Sequence, residues 1–403
     1  MADRVRALEQ AGDWRASASR FARVVLRTLV VGAGFTGSVL AERIATVLGK
    51  HVLVIDRRDH IGGNAFDYHD RHGVLIHKYG PHIFHTNSMR IANYLSGFTS
   101  WRPYEHRVMG WLNEQFVPLP FNLTSMEILF GNSEGGRLNK LLTDEFGIEV
   151  KVPILAMRQS KSPDVRRIAD VIYEKVFLHY TKKQWGLTPE ELDPAVSARV
   201  PVHLSRDDRY FQDSFQKMPS EGFATLFDRM LDHPLIEVRL GVSLKNIDGI
   251  EKLERVIFTG PIDEFFSGSH GSLPYRSIKF DFETTASEEL VQSVATQNYP
   301  TEASQHAYTR STEFRFLTGQ SGVGYTTRVF EYPENYIPET NEPYYPVLRE
   351  ENRNTYRAYE AEAKKLKTVV FAGRLADYTY YNMDQAVGRA LSCFEKQIAP
   401  SAA

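Results

Sequence analysis

Thr28-Leu29-Val30-Val31-Gly32-Ala33-Gly34-Phe35-Thr36-Gly37 opens the stretch whose reading decides the fold. A short apolar run meets a Gly-x-Gly-x-x-Gly turn, and Ser38 to Leu48 follows with Val39, Leu40, Ile44, Val47 and Leu48 at helical spacing. Gly49-Lys50 ends that helix, and His51-Val-Leu-Val-Ile55-Asp56 is a second apolar strand. Strand, turn, helix and strand within about 30 residues predict a right-handed parallel crossover of the dinucleotide-binding kind. Gly32 permits the tight turn, Gly34 lets a pyrophosphate approach the backbone, and Gly37 lets the helix lie close to the strand. Ala33, Phe35 and Thr36 complete the turn, and the helix start offers unpaired N–H groups and a positive dipole end to a diphosphate. Asp56, 19 residues beyond Gly37, is placed to accept a hydrogen bond from a ribose.

Two further segments favour FAD over NAD. Arg57-Arg58-Asp59-His60-Ile61-Gly62-Gly63-Asn64 follows the acid directly, and its second Gly pair resembles the extension of FAD proteins of the glutathione-reductase and amine-oxidase type. Near the C-terminus Thr368-Val-Val-Phe-Ala372 reads as a strand, Gly373-Arg374 as a turn and Ala386 to Ile398 as a helix. N–H groups near Asp384 would face a flavin's pyrimidine edge, where reduction builds negative charge.

The 403 residues suffice for two or three domains with ordinary cores. Lys+Arg number 48 and Asp+Glu 50, a net of −2 that argues against a nucleic-acid partner. One cysteine, Cys393, excludes a disulfide framework and a Cys-rich metal site, and no metal is expected. No run reaches the roughly 20 apolar residues of a membrane helix. Residues 1–27 read as an exposed arm without the apolar core of a signal peptide, so the expected location is cytoplasmic. Arg107 to Phe121 reads as a hairpin turning at Asn113-Glu114, and Thr124 to Arg199 is mainly helical, with Ile168, Val171, Ile172 and Val176 on one face. Residues 151–183 hold eight Lys/Arg against three Asp/Glu, mostly a solvated face. Between Tyr275 and Tyr345 stand 13 aromatics, and Lys279-Phe-Asp-Phe-Glu283 alternates as a half-exposed strand does. The expected fold is α/β: a discontinuous Rossmann-like FAD-binding domain (28–105, 216–260 and 367–398), an inserted helical domain (122–200) and an antiparallel β-sheet domain (106–121, 201–215 and 261–350).

With these pieces placed, the chain from about Thr28 to Ile398 resembles the bacterial UDP-galactopyranose mutase family. The resemblance rests on Gly80-Pro-His82-Ile-Phe-His85-Thr86, Tyr180-Thr-Lys-Lys-Gln-Trp185-Gly186, Tyr308-Thr-Arg310, Glu342-Pro-Tyr-Tyr345-Pro346 and Gly373-Arg374-Leu. It implies interconversion of UDP-galactopyranose and UDP-galactofuranose on reduced FAD without net redox change, N5 of the flavin capturing the anomeric carbon as UDP departs. NAD(P)H as external reductant and a homo-oligomer remain open. By the same resemblance Arg199 and Arg310 meet the diphosphate, Tyr345 and Tyr380 hydrogen-bond it, and Tyr180 and Trp185 form a uridine shelf. Phe177 flanks the base, Thr181, Asn298 and Asn382 line the substrate site, and His85 lies beside the flavin. Arg57, Gly63, Asn64, His82, Ile83, Val242, Arg374, Asn382 and Met383 join the fingerprint residues around the cofactor. The family often has aspartate where Asn382 stands, commonly a basic residue at Thr379 and usually glutamate at Asp56.

Without the surrounding motifs the residues have plainer readings: Trp185 as a core residue, Arg199 and Arg310 as solvated charges, His82 and His85 as loop histidines. Two other functions remain open at this level, an FAD-dependent oxidase or desaturase of the amine-oxidase superfamily and a non-catalytic flavin-binding protein.

Overall fold

The computed structural model describes residues 28–193 and 201–400. The N-terminal arm 1–27 and Arg199 therefore lie outside the described residues.

Strand β1 (Thr28–Val31) leads through the glycine turn into helix α1 (Phe35–Leu48), which Gly49 ends at φ 61°, and β2 (Val52–Asp56) follows. Helix α2 (Gly222–Leu231) precedes β3 (Ile236–Leu240), and β4 (Arg255–Phe258) and β5 (Val369–Phe371) complete a five-stranded sheet, with helix α3 (Met383–Cys393) beyond it. The strand order is β3-β2-β1-β4-β5 and every pairing is parallel. The order reverses beside β1, so its carboxyl end, where the glycine turn sits, opens the crevice in which such sheets bind ligands. Leu29 and Val30 are both fully buried, as a strand covered on both faces requires. Val30 joins Val39, Leu40 and Ile44 of α1, whereas Leu29 joins Leu53, Ile55 and Val256 on the other face. Helix α3 starts three residues before the expected Ala386, because Asn382 and Gln385 form a capping box at its head; beyond Cys393 the chain continues as a π-helical turn to Ile398.

The second sheet has seven strands, in the order 345–346, 275–286, 325–335, 310–313, 296–298, 108–112 and 115–119. The last two form the expected hairpin, turning through Asn113 and Glu114 at φ 48° and 62°. One pair, Thr296–Asn298 with Val108–Leu112, is parallel, so the sheet is not wholly antiparallel. Residues 201–215 do not supply one of its strands as expected. Val202–His203 pairs instead with Lys151–Val152 in the helical lobe, and Phe215 begins a strand between Phe84–Thr86 and Trp101–Pro103. Val202 and Leu204 are drawn there because they are buried in that lobe's apolar core.

In the helical lobe Val165, Ile168, Ala169 and Ile172 form the buried face of Pro163–Ile172, and Val171 stands half-buried beside it. A π-helical turn, Tyr173–Leu178, runs into the helix His179–Trp185. Among the described residues no helix is long and apolar enough to cross a membrane, and no cluster of His, Cys, Asp or Glu could hold a metal.

Candidate active site

The glycine turn is built as its sequence demands. Gly32 has φ 107°, and a Cβ there would stand 2.1 Å from the Thr259 hydroxyl oxygen. A Cβ on Gly37 would fall 1.9 Å from the Gly32 carbonyl oxygen. Gly34 differs: its Cβ would meet only Gly63, at 3.6 Å, so bare backbone faces bare backbone across the crevice. A pyrophosphate could approach such a cradle and a methyl group would fill it, which is the fit a dinucleotide requires. Asp56 accepts from the Ala33 N–H at 2.8 Å and the Arg58 N–H at 2.9 Å, so its first task is to fix the turn. Each carboxylate oxygen keeps a second lone pair for a ribose.

Around this cradle the expected cofactor residues play different parts. Phe35 is buried against Phe227, with ring centroids 4.7 Å apart, and Thr36 is buried too, so these two offer a ligand their backbone N–H groups rather than side chains. Asn64 accepts from Arg58 at 2.9 Å. Arg57 and Arg58 both pair with Glu342, at 2.9 and 2.7 Å, tying the turn after Asp56 to the segment that bears Tyr345. The Val242 N–H donates to the Asp56 carbonyl, which sets Val242 at the end of β2. His82 is bonded through Nδ1 to the Gly80 carbonyl at 2.9 Å, and Ile83 and Met383 pack partly buried against the main core. Asn382 heads helix α3 as its N-cap, aligned by Gln385.

A second group of residues forms an aromatic and cationic wall. The rings of Tyr345 and Tyr380 are nearly parallel, 5.0 Å apart at 9°, and the Trp185 ring stands 6.0 and 6.4 Å from them. The Arg374 guanidinium lies 5.4 and 5.6 Å from the same two tyrosine rings and is fixed by the Tyr381 carbonyl at 2.6 Å. Arg310 donates from Nε to Glu331 at 2.6 Å, and that carboxylate is 1% exposed. Among the described residues nothing hydrogen-bonds the two terminal nitrogens of Arg310. The field of Glu331 holds Arg310 charged despite burial, and Tyr180 and Tyr345 stand close enough to feel it. Burial pushes the Tyr180 hydroxyl up, so it stays a neutral donor. Asn298, paired with Arg310 across the strands, keeps a buried side-chain oxygen without a partner. Thr181 is half-buried next to Tyr180.

Two of the expected site residues are held by other contacts. Phe177 is 8% exposed in the core of the helical lobe, and no ring contact joins it to Trp185, Tyr345 or Tyr380 among the described residues. With Tyr173 and Val176 it follows the buried side of the helix, which explains its inward turn. His85 is already engaged: its Nδ1 is 2.9 Å from Asp213, and its ring stacks on Phe211 at 3.6 Å. Asn87 holds the second oxygen of Asp213 at 2.8 Å. Glu331 and Asp213 escaped the sequence reading. The available signal for Glu331 was its phase, since it shares a strand face with buried Thr327 and Val329.

A family model described as UDP-galactopyranose mutase matches residues 175–380, the part that carries Trp185, Arg310, Glu331, Tyr345 and Tyr380. The chain belongs to the UDP-galactopyranose mutase family. A model of an NAD(P)-binding Rossmann-like domain matches residues 30–98. A Klebsiella pneumoniae protein named "Probable UDP-galactopyranose mutase" is 34% identical over 364 residues, covering 90% of this chain and 92% of its own. An Escherichia coli dTDP-fucopyranose mutase is 31% identical over 385 residues, covering 92% and 98%. The crystal structure of a reduced UDP-galactopyranose mutase shares the fold, with a TM-score of 0.71 at 16% identity over 93% of this chain and 96% of that one. The motifs are tied together by contacts: Arg58 pairs with Glu342, Gly373 lies against Thr36 of the glycine turn, and Arg374 and Trp185 lie near Tyr345 and Tyr380.

Proposed function

We propose that the protein interconverts UDP-galactopyranose and UDP-galactofuranose with FAD in the crevice. FAD, when bound and reduced, would supply a nucleophilic nitrogen for the anomeric carbon, with no net redox change. The protein's own share is electrostatic. As the glycosidic C–O bond to UDP breaks, charge grows on the diphosphate, and Arg310 offers it two terminal nitrogens while Glu331 holds the guanidinium still. Tyr345 and Tyr380 bring hydroxyls to the same wall, and Trp185 gives a flat apolar face suited to uracil. Asn298 brings an unsatisfied acceptor that a sugar or ribose hydroxyl would pair. Arg199 is assigned to the same diphosphate by its motif alone.

The observation that carries this reading is the half-committed guanidinium of Arg310 beside stacked aromatics, a combination that suits a nucleoside diphosphate. The test is an anaerobic chromatographic assay of dithionite-reduced protein with UDP-galactofuranose. The expected outcome is conversion to the pyranose by the reduced form alone, without an oxidised sugar product; no conversion sinks the proposal. The same assay with dTDP-fucopyranose decides between two substrates, since a relative bearing that sugar's name is 31% identical.

A further inference from the structure

The helix His179–Trp185 brings Tyr180 and Trp185 to the site, and between them Lys183 reaches the loop joining Thr296–Asn298 to Arg310–Glu313. Its Nζ donates to the backbone carbonyls of Tyr299, His306 and Tyr308, at 2.7, 2.8 and 2.9 Å. An ammonium has three N–H groups, and all three are used. The two ends of that loop are Asn298 and Arg310, which lie opposite one another in the sheet. A single side chain therefore clamps the strand ends that carry two site residues to the helix that carries two others. A second tie fixes the same helix to the sheet: Arg276 donates to the Gln184 carbonyl at 2.9 Å and to the Lys183 carbonyl at 3.3 Å.

The titratable and charged groups on the surrounding elements are Tyr299, Glu302, His306 and Tyr308 on the loop, Arg310 and Glu313 on the strand that follows it, Arg276, Lys279, Asp281 and Glu283 on the strand Tyr275–Ala286, Arg328, Glu331, Tyr332 and Glu334 on the strand Tyr325–Asn335, and His179, Tyr180 and Lys182 on the helix itself. Glu302 faces Ser304, and among the described residues no carboxylate pairs with Lys183. Its charge is balanced by carbonyl dipoles alone. Burial without a counter-charge pushes the ammonium down to about 8, and burial together with the charge of Lys183 lowers the basicity of His306.

We propose that Lys183 is a positioning residue: by holding three loop carbonyls it sets the spacing between the base-stacking face of Trp185 and the phosphate-facing Arg310, and so the affinity for a nucleoside diphosphate. The inference rests on the reading of Trp185 and Arg310 given above. A neutral amine has two N–H groups for three carbonyls, so raising the pH releases one of them and slackens the clamp.

The test is calorimetric titration of UDP into the flavin-loaded protein between about pH 7 and 9.5, for wild type, Lys183→Met and Lys183→Arg, with amide hydrogen exchange followed over residues 299–309. Wild-type affinity should fall as the pH rises through about 8. Lys183→Met should bind UDP about ten-fold more weakly at neutral pH, lose the alkaline decline, keep its flavin and exchange faster in the loop. Lys183→Arg keeps its charge at every pH but has a planar fork in place of a tripod, so it too should lose the decline, and it serves if the methionine variant does not fold. UDP affinity within about two-fold of wild type, with the alkaline decline intact in both variants, overturns the proposal. Should the wild-type protein not bind UDP, the reading of function fails, while exchange over 299–309 still decides the clamp: unchanged exchange overturns it and faster exchange supports it.

Discussion

Arg310 spends one donor on a buried carboxylate and keeps its two terminal nitrogens for something else. That division explains why a lysine would fail there, because a single ammonium cannot face Glu331 and clasp two phosphoryl oxygens in one plane. Arg310→Lys should lower turnover of the reduced enzyme about 100-fold or more while the flavin absorbance is retained; turnover within a few-fold of wild type would remove the arginine from the mechanism. Glu331→Gln retains an acceptor for Nε but not the charge, and should cost about ten-fold in the same assay. Arg310 was legible through its motif, Glu331 only through strand phase. Their pairing spans 21 residues and exists because strand register sets Arg310 opposite Glu331, which no local pattern announces. Lys183 was harder still, since its partners are backbone carbonyls and any residues could supply them.

At the level of elements, the glycine turn separates two roles that look alike in sequence. Gly37→Ala would drive a methyl group into the Gly32 carbonyl, so α1 must leave β1 and the whole sheet should suffer. Gly34→Ala meets only ordinary contact with Gly63, so the protein should fold with a melting temperature near wild type and purify without flavin. If Gly34→Ala binds flavin normally, the pyrophosphate does not lie where the crevice places it. The strand–turn–helix–strand unit was readable because buried parallel strands are continuous apolar runs and glycines punctuate them. The π-helical turn at Tyr173–Leu178 was not, as it shares the periodicity of the helices on either side, and with it went the orientation of Phe177.

Over the whole molecule, burial decides how the fold responds to acid. His77, His82 and His106 are held down to about 3, 4 and 3 by burial, all below the ordinary 6.5. The unfolded chain takes up those protons first, so the stability they contribute is present above pH 6.5 and is lost as the pH falls toward their folded values. Asp67 works the other way. Burial beneath the first turn of α2 raises its carboxyl to about 6 from 3.8, so its contribution is present below 3.8 and is lost as the pH rises through about 6. Three histidines outweigh one carboxyl, and at about 1.4 kcal/mol per pK unit the net loss by about pH 5 should be on the order of 4 kcal/mol. Urea midpoints recorded from neutral pH down to about 5 check this, and a midpoint that rises on acidification would contradict it.

The parallel sheet is assembled from distant parts of the chain, with β1 flanked by strands that begin at residues 52 and 255 and the outer edge closed by Val369–Phe371. During synthesis the ribosome releases the glycine turn first and its last lateral support more than 300 residues later. A nascent chain therefore carries an open strand edge for most of its translation, first that of β1 until β4 is made and then that of β4 until β5 is made.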